Sequence, residues 1–186
     1  MNLFISPHCD DESLFGAYTL CEERDTIQVI IVLDGHIQAK RGEPVTWVER
    51  RTETTNALAE LGVVIPPVFA GFDDSDPDWS SITEYFKAAK RIYDPVTVYR
   101  PRIEIDGHQQ HNLVSQCAGV VWDGRYTRDY LTYTTHGKSY GLASQEVVPA
   151  PDTVARKHRA LSCYASQIGV ANCREHFMRD MREFLI

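Results

Sequence analysis

His8-Cys9-Asp10-Asp11-Glu12 sets an imidazole beside two adjacent carboxylates, with a third acid behind them. The cluster follows the short apolar run Leu3-Phe4-Ile5-Ser6-Pro7, whose residues 3–5 read as a buried strand. A helix is expected over 12–20, so the cluster falls where a strand hands over to a helix. In open α/β sheets, ligands bind in the crevice beyond the carboxyl ends of the strands. His8 and Asp11 are ordinary ligands for a divalent ion such as zinc, and Asp10 is left as a candidate base. A helix N-terminus also welcomes Asp as a cap and dipole partner. That accounts for one Asp more readily than for a His and two.

Two ligands hold an ion weakly, and a catalytic zinc usually takes three while keeping a position open. The best source of a third is Gly107-His108-Gln109-Gln110-His111, whose histidines lie three apart. They open a helix expected over 112–121, again just past a strand-like segment. The remaining histidines (36, 136, 158 and 176) stand singly and read as structural or solvent-facing.

The elements that must position these groups follow from periodicity. Residues 27–33, almost continuously apolar and β-branched, form the strongest strand signal and end at the turn Asp34-Gly35-His36. Such a run is the pattern of a central parallel strand covered on both faces. A helix over 45–61 stops at Gly62. A short strand over 66–71 runs into Asp73-Asp74-Ser75-Asp76-Pro77-Asp78, which lacks the spacing of a calcium loop and reads as a polar loop and helix start. A helix over 80–93, strands over 97–99 and 131–135, and helices over 153–167 and 173–185 complete the series. Strands alternating with helices, with no break in composition, predict one doubly wound α/β domain over residues 1–186.

Composition narrows the function. The chain has 186 residues, is 43% hydrophobic, and carries a formal net charge of −7. That charge argues against sequence-independent binding along nucleic acid, which relies on Lys and Arg. The clusters Arg100-Pro101-Arg102 and Arg156-Lys157-His158-Arg159 read as solvated faces. No run is long enough to span a membrane, and the start lacks the pattern of a secretory signal. Five cysteines (9, 21, 117, 163 and 173) form no CxxC pair, which fits a reducing compartment, so the expected location is cytoplasmic. There is neither GxGxxG nor GxxxxGK[ST], so the glycine-rich phosphate cradles are missing.

Taken in order, four segments resemble the motifs of the PIG-L/LmbE-like family of zinc-dependent N-acetylglucosaminyl de-N-acetylases. His8-Cys9-Asp10-Asp11-Glu12 resembles its opening HPDDE, and Gly107-His108-Gln109-Gln110-His111 resembles its later G-H-P-D-H. Arg50-Arg51-Thr52-Glu53 with Ala57, Ala59, Leu61 and Gly62 resembles its RxxE…A…LG helix. Residues 157–167, from Lys157 through Ala160-Leu161 to Tyr164 and Ser166-Gln167, resemble its KxxALxxHxSQ helix. The resemblance implies a Rossmann-like three-layer fold with a mostly parallel sheet. It implies zinc held by His8, Asp11 and His111, with iron or cobalt also accepted by such ligands. It further implies Asp10 as general base, His108 as electrophilic or proton-shuttling partner, and Arg50 near the substrate.

Three positions depart from the motifs. Cys9 replaces proline, Gln109-Gln110 replaces Pro-Asp, and Tyr164 stands where histidine is usual. Cys9 reads as a small buried side chain. Loss of the Asp at 110 removes a carboxylate of the kind that fixes a histidine's tautomer. The implied reaction removes acetyl from an N-acetylated, GlcNAc-type amino-sugar conjugate. Trp122, Tyr126, Tyr130, Tyr133 and Tyr140 are candidate faces for stacking on the sugar, or core. Two other readings remain: a metal-dependent amidase for another acylated small molecule or nucleoside, and a carbohydrate-binding relative without turnover.

Overall fold

The computed structural model of the protein describes residues 1–35, 39–40, 43–104, 107–124, 126–132, 145–168 and 182–186. In chain order the elements are β1 (Asn2–Ser6), α1 (Asp11–Phe15), α2 (Ala17–Glu23), β2 (Ile27–Leu33), β3 (Ala39–Lys40), β4 (Glu43–Pro44), α3 (Trp47–Leu61) and β5 (Val68–Phe72). They continue with α4 (Trp79–Tyr93), β6 (Val98–Pro101), α5 (Gln109–Val121), β7 (Thr127–Tyr130), β8 (Gln145–Glu146), α6 (Pro151–Ser162), α7 (Ala165–Ile168) and β9 (Phe184–Leu185).

Seven strands form one sheet in the order β5-β2-β1-β6-β7-β9-β8, and β3 pairs with β4 in a separate ribbon. The five strands from β5 to β7 are parallel, while β9 runs antiparallel to both β7 and β8. This is the mostly parallel, three-layer α/β arrangement expected. From β1 the chain winds outward through β2 to β5, then crosses back and winds the other way through β6 and β7. The reversal lies between β1 and β6, which pair at Leu3 with Val98 and at Phe4 with Tyr99.

The central strands are apolar on both faces because helices cover both. Phe4, Val29 and Ile31 face a cluster with Leu14, Leu20, Leu58, Leu61 and Leu161, from α1, α2, α3 and α6. Leu3, Ile5, Ile30 and Val32 face the other way, toward Ile82 and Phe86 of α4 and Val114 and Ala118 of α5. The strand period of two thus sorts one hydrophobic run into two cores. Local signals set the helix ends: Thr46 and Asp78 accept from Glu49 N and Ser81 N at the starts of α3 and α4, and Gly62 ends α3 at φ 83°.

Several expectations need correction. The helix over 12–20 is divided at Gly16, which leaves helical geometry at φ −130° and ψ 4° and where the ring of Phe4 leaves no room for a β-carbon. The helix over 153–167 breaks after Ser162 and resumes at Ala165. The late strand pairs through 127–130 rather than 131–135, and residues 133–135 fall outside those described. Of the helix over 173–185, residues 173–181 also lie outside the described ones, while Phe184–Leu185 is a strand. Two-residue strands carry no period, so sequence could not show them. Neither basic cluster is a simple solvated face: Lys157 is 1% exposed and paired with Glu183 at 2.8 Å, and Arg100 pairs with Asp129 at 2.7 Å.

Gly16→Ala should lower unfolding free energy by about 1–3 kcal/mol, the usual cost of overpacking. Urea denaturation checks it, and adding Phe4→Leu should return part of the loss.

Candidate active site

The chain leaves β1 at Ser6 and enters α1 at Asp11, so the crossover is only four residues long. Asp10, at its tightest point, sits at φ 154° and ψ −25°, a backbone state that side chains rarely adopt. Its N–H donates to Glu12 Oε2 (3.1 Å) and to the carbonyl of His8 (3.2 Å). Its carbonyl accepts from Ser13 and Leu14 and so starts α1. The His8 N–H donates to Asp11 Oδ2 at 2.9 Å, closing the loop on itself. At the neighbouring strand end, β6 stops at Pro101, and His108 stands at the N-cap of α5 with His111 one turn on.

These two strand ends bring three donor atoms into mutual contact. His8 Nδ1 lies 3.2 Å from Asp11 Oδ2 and 3.2 Å from His111 Nε2, and His111 Nε2 lies 3.1 Å from Asp11 Oδ2. Donors about 2.1 Å from a tetrahedral zinc stand about 3.4 Å apart, so this triangle is within a few tenths of an ångström of the size such an ion requires. His108 forms a looser triangle with His8 and His111, with ligand atoms within 4.8 Å. The tighter set is His8, Asp11 and His111, the one expected from sequence. Two imidazole nitrogens and one carboxylate oxygen suit zinc, and also iron, cobalt or manganese.

The charges are buried and strongly coupled. Burial disfavours a charged His8, but its hydrogen bonds to Asp11 and Asp74 outweigh this and push it up to about 10. Burial also works against an ionised Asp11, yet His111 and His8 hold it well below the ordinary carboxylate range. Asp10 is pushed up to about 6 by burial, with Arg50 pulling the other way. His108 is lowered to about 4 by burial and by its two histidine neighbours, so it is a neutral ring near pH 7. Its Nδ1 is buried with no hydrogen-bond partner among the described residues.

Arg50, 2% exposed, reaches from α3 beneath this loop. Its Nη2 donates to the carbonyl of Cys9 and to Asp10 Oδ2 (3.2 Å). Its Nη1 donates to Ser166 Oγ (3.4 Å), and Ser166 donates through N and Oγ to Glu53 (2.7 and 2.6 Å). The RxxE helix and the late Ser-Gln pair therefore form one buried network ending on Asp10. Glu12 anchors the loop from below: Tyr164 Oη donates to Oε1 and Ser6 Oγ to Oε2 (3.3 Å). Tyr164 thus serves Glu12.

The structure gathers His8, Asp10, Asp11, His108 and His111 at one crevice. It places Arg50 against Asp10, where a substrate would have to approach through that carboxylate. Cys9 is fully buried, as read from sequence, and burial pushes its thiol up. Of the aromatic candidates, Trp122 and Tyr130 are core, Tyr126 is exposed, and Tyr133 and Tyr140 lie outside the described residues. His158 is exposed, while His36, His136 and His176 are not among those described.

Sequence reading missed Asp74. It is 5% exposed and lies 3.3 Å from His8 Nε2, whereas Asp73, Asp76 and Asp78 of the same run are exposed. The available signal was position: the run follows β5, whose carboxyl end opens on the same side of the sheet. A cleft of about 520 Å³ adjoins His108, and Asp74, Ser75, Pro77, Gln110 and Leu113 also line it.

A family model described as PIG-L, GlcNAc-PI de-N-acetylase, matches residues 3–122, which include all six expected site residues. The chain belongs to the PIG-L family. No curated protein matches it. The solved zinc-inhibited form of teicoplanin deacetylase Orf2 is 18% identical, with TM-score 0.75 over 90% of this chain and 84% of that one. N,N'-diacetylchitobiose deacetylase from Pyrococcus horikoshii is 20% identical, with TM-score 0.70 over 94% and 72%. GalB, the 4-carboxy-2-hydroxymuconate hydratase from Pseudomonas putida KT2440, is 16% identical, with TM-score 0.72 over 96% and 82%. At these identities the likeness is one of fold.

Two measurements test the PIG-L site in this chain. His8→Ala, Asp11→Ala and His111→Ala should each lose the metal by elemental analysis, while His108→Ala keeps it. Because the His8 proton is held up to about 10, an ion must displace it. Affinity should therefore rise with pH through neutrality, by up to about tenfold per unit, with proton release seen by calorimetry in buffers of different ionisation enthalpy.

Proposed function

We propose that this protein is a metal-dependent de-N-acetylase, a hydrolase that removes acetyl from the nitrogen of a GlcNAc-type amino-sugar conjugate. The observation that carries the reading is the donor triangle of His8, Asp11 and His111, set directly beside an arginine-held Asp10. Membership of a family described as a GlcNAc-PI de-N-acetylase supports the reaction, as do deacetylases among the structures of like fold. We assign the ion as zinc, and residues 1–186 as one deacetylase domain.

An amide resists attack because its carbonyl is a weak electrophile and its amine a poor leaving group. The bound ion would supply Lewis acidity, polarising the carbonyl and bringing the pKa of water toward about 7. Asp10 takes the proton of the attacking water and returns it to the departing nitrogen, as base and then acid. A carboxyl raised to about 6 is matched to both duties near neutral pH. Arg50 keeps that carboxyl aimed into the crevice and favours its ionised form.

His108 acts as a neutral N–H donor to the developing oxyanion, since its surroundings disfavour the imidazolium. The cleft beside it has room for more than an acetyl group, and it seats the sugar conjugate. No helix among the described residues is long and apolar enough to cross a membrane.

Asp10→Asn should keep its metal yet lose about a thousandfold or more in kcat. His108→Ala should lose about 10²–10³, the usual cost of one oxyanion donor. Acetate release from a panel of N-acetylamino-sugar conjugates, with zinc, cobalt or iron and with chelator, checks both. Wild-type protein that releases no acetate from any of them, or an Asp10→Asn variant of full activity, would sink the assignment.

A further inference from the structure

His8 is gripped on both ring nitrogens, and only one grip belongs to the donor triangle. Its Nε2 faces away from His111 and lies 2.9 Å from Gln110 Oε1 and 3.3 Å from Asp74 Oδ1. Gln110 in turn donates through Nε2 to both the carbonyl and the carboxylate of Asp74. The loop carrying Asp74 is tied to the end of β2, where the Asp74 N–H donates to Asp34 Oδ1 at 3.2 Å. Both acceptors at Nε2 keep a proton on that nitrogen, so the proton an ion displaces is the one on Nδ1, the nitrogen beside Asp11 and His111.

The residue types at 74 and 110 answer each other. An amide can accept from an imidazole N–H with its oxygen and donate to a carboxylate with its nitrogen. A carboxylate at 110 would instead meet the carboxylate of Asp74 at hydrogen-bond distance with no proton between them. The charge that orients His8 thus sits on the loop after β5, and the neutral link sits on the first turn of α5. Gln110, a departure from the motif read in the sequence, is the complement of Asp74.

We infer that Asp74 and Gln110 together are a positioning device: they hold His8 as its Nε2–H tautomer and so present Nδ1 to the ion. This rests on the metal-site reading given above. Both also line the cleft beside His108, and their effect on the ion is transmitted through His8.

The experiment is a charge swap, read by zinc titration against a chromophoric chelator and by thermal unfolding. Asp74→Asn should weaken zinc binding about 10–100-fold. Gln110→Glu should lower the melting temperature of the metal-free protein at pH 8. The double variant Asp74→Asn/Gln110→Glu restores one carboxylate and one amide, and should return zinc affinity to within about threefold of wild type and recover the melting temperature. In the zinc-loaded wild type, imidazole ¹⁵N shifts should show His8 protonated at Nε2 and metal-bound at Nδ1.

Zinc affinity unchanged in Asp74→Asn, or a double variant no better than the poorer single one, overturns the proposal. So does a Gln110→Glu variant as stable as wild type. A wild type that binds no zinc in the same titration sinks the metal reading itself, which separates the two failures.

Discussion

The parallel pairing of β1 with β6, two rungs long at Leu3–Val98 and Phe4–Tyr99, is the contact on which the site depends. Each of these strands delivers half of a donor set at its carboxyl end, and neither half is sufficient. His8 and Asp11 leave one strand and His111 follows the other, 103 residues from His8 in the chain. The pairing lies where the winding of the sheet reverses, so the helices that follow the two strands cover opposite faces and leave a crevice between the strand ends. The same apolar alternation that buries Leu3 and Phe4 on opposite faces therefore also sets the reach of the histidines.

Bringing so much charge into a low-dielectric crevice is costly, and the surrounding structure is arranged around that cost. Asp11 is matched by two imidazoles, Asp10 by Arg50, and Glu12, among the described residues, by neutral donors. The contrast has consequences. The carboxylate with imidazole partners stays ionised and suits a ligand, whereas Asp10 is poised near 6 and suits proton transfer. Adjacent residues of the same type acquire different chemistry from their neighbours, not from anything in their own structure. The strained backbone at Asp10 separates them, turning one side chain toward Arg50 and the other toward the histidines.

Much of this was legible beforehand. Nearly continuous apolar runs marked the covered parallel strands, and His8, Asp10, Asp11, His108 and His111 stood out because ion-binding residue types lay together just past expected strand ends, while the part given to each came from the family resemblance. The misreadings have physical causes. Gly16, packed against the Phe4 ring of β1, lies between two helices where one was expected, and the β9 strand is too short to carry a period. Lys157 looked like part of a solvated basic run until Glu183 was found beside it. Asp74 was hidden among acids of identical type, three of which face water.

What the sequence determined by itself is the inventory and its order: which residues can bind an ion or move a proton, and which strand or helix carries each. Those properties are local, set by side-chain chemistry and by backbone periods of two and 3.6 residues. The tertiary structure alone decided which atoms meet. Arg50 could have faced substrate or Asp10, Tyr164 could have joined the donors or supported Glu12, and any of four Asp could have turned inward after β5. Those choices depend on distances between segments far apart in the chain, and only the packed sheet and its helices set such distances.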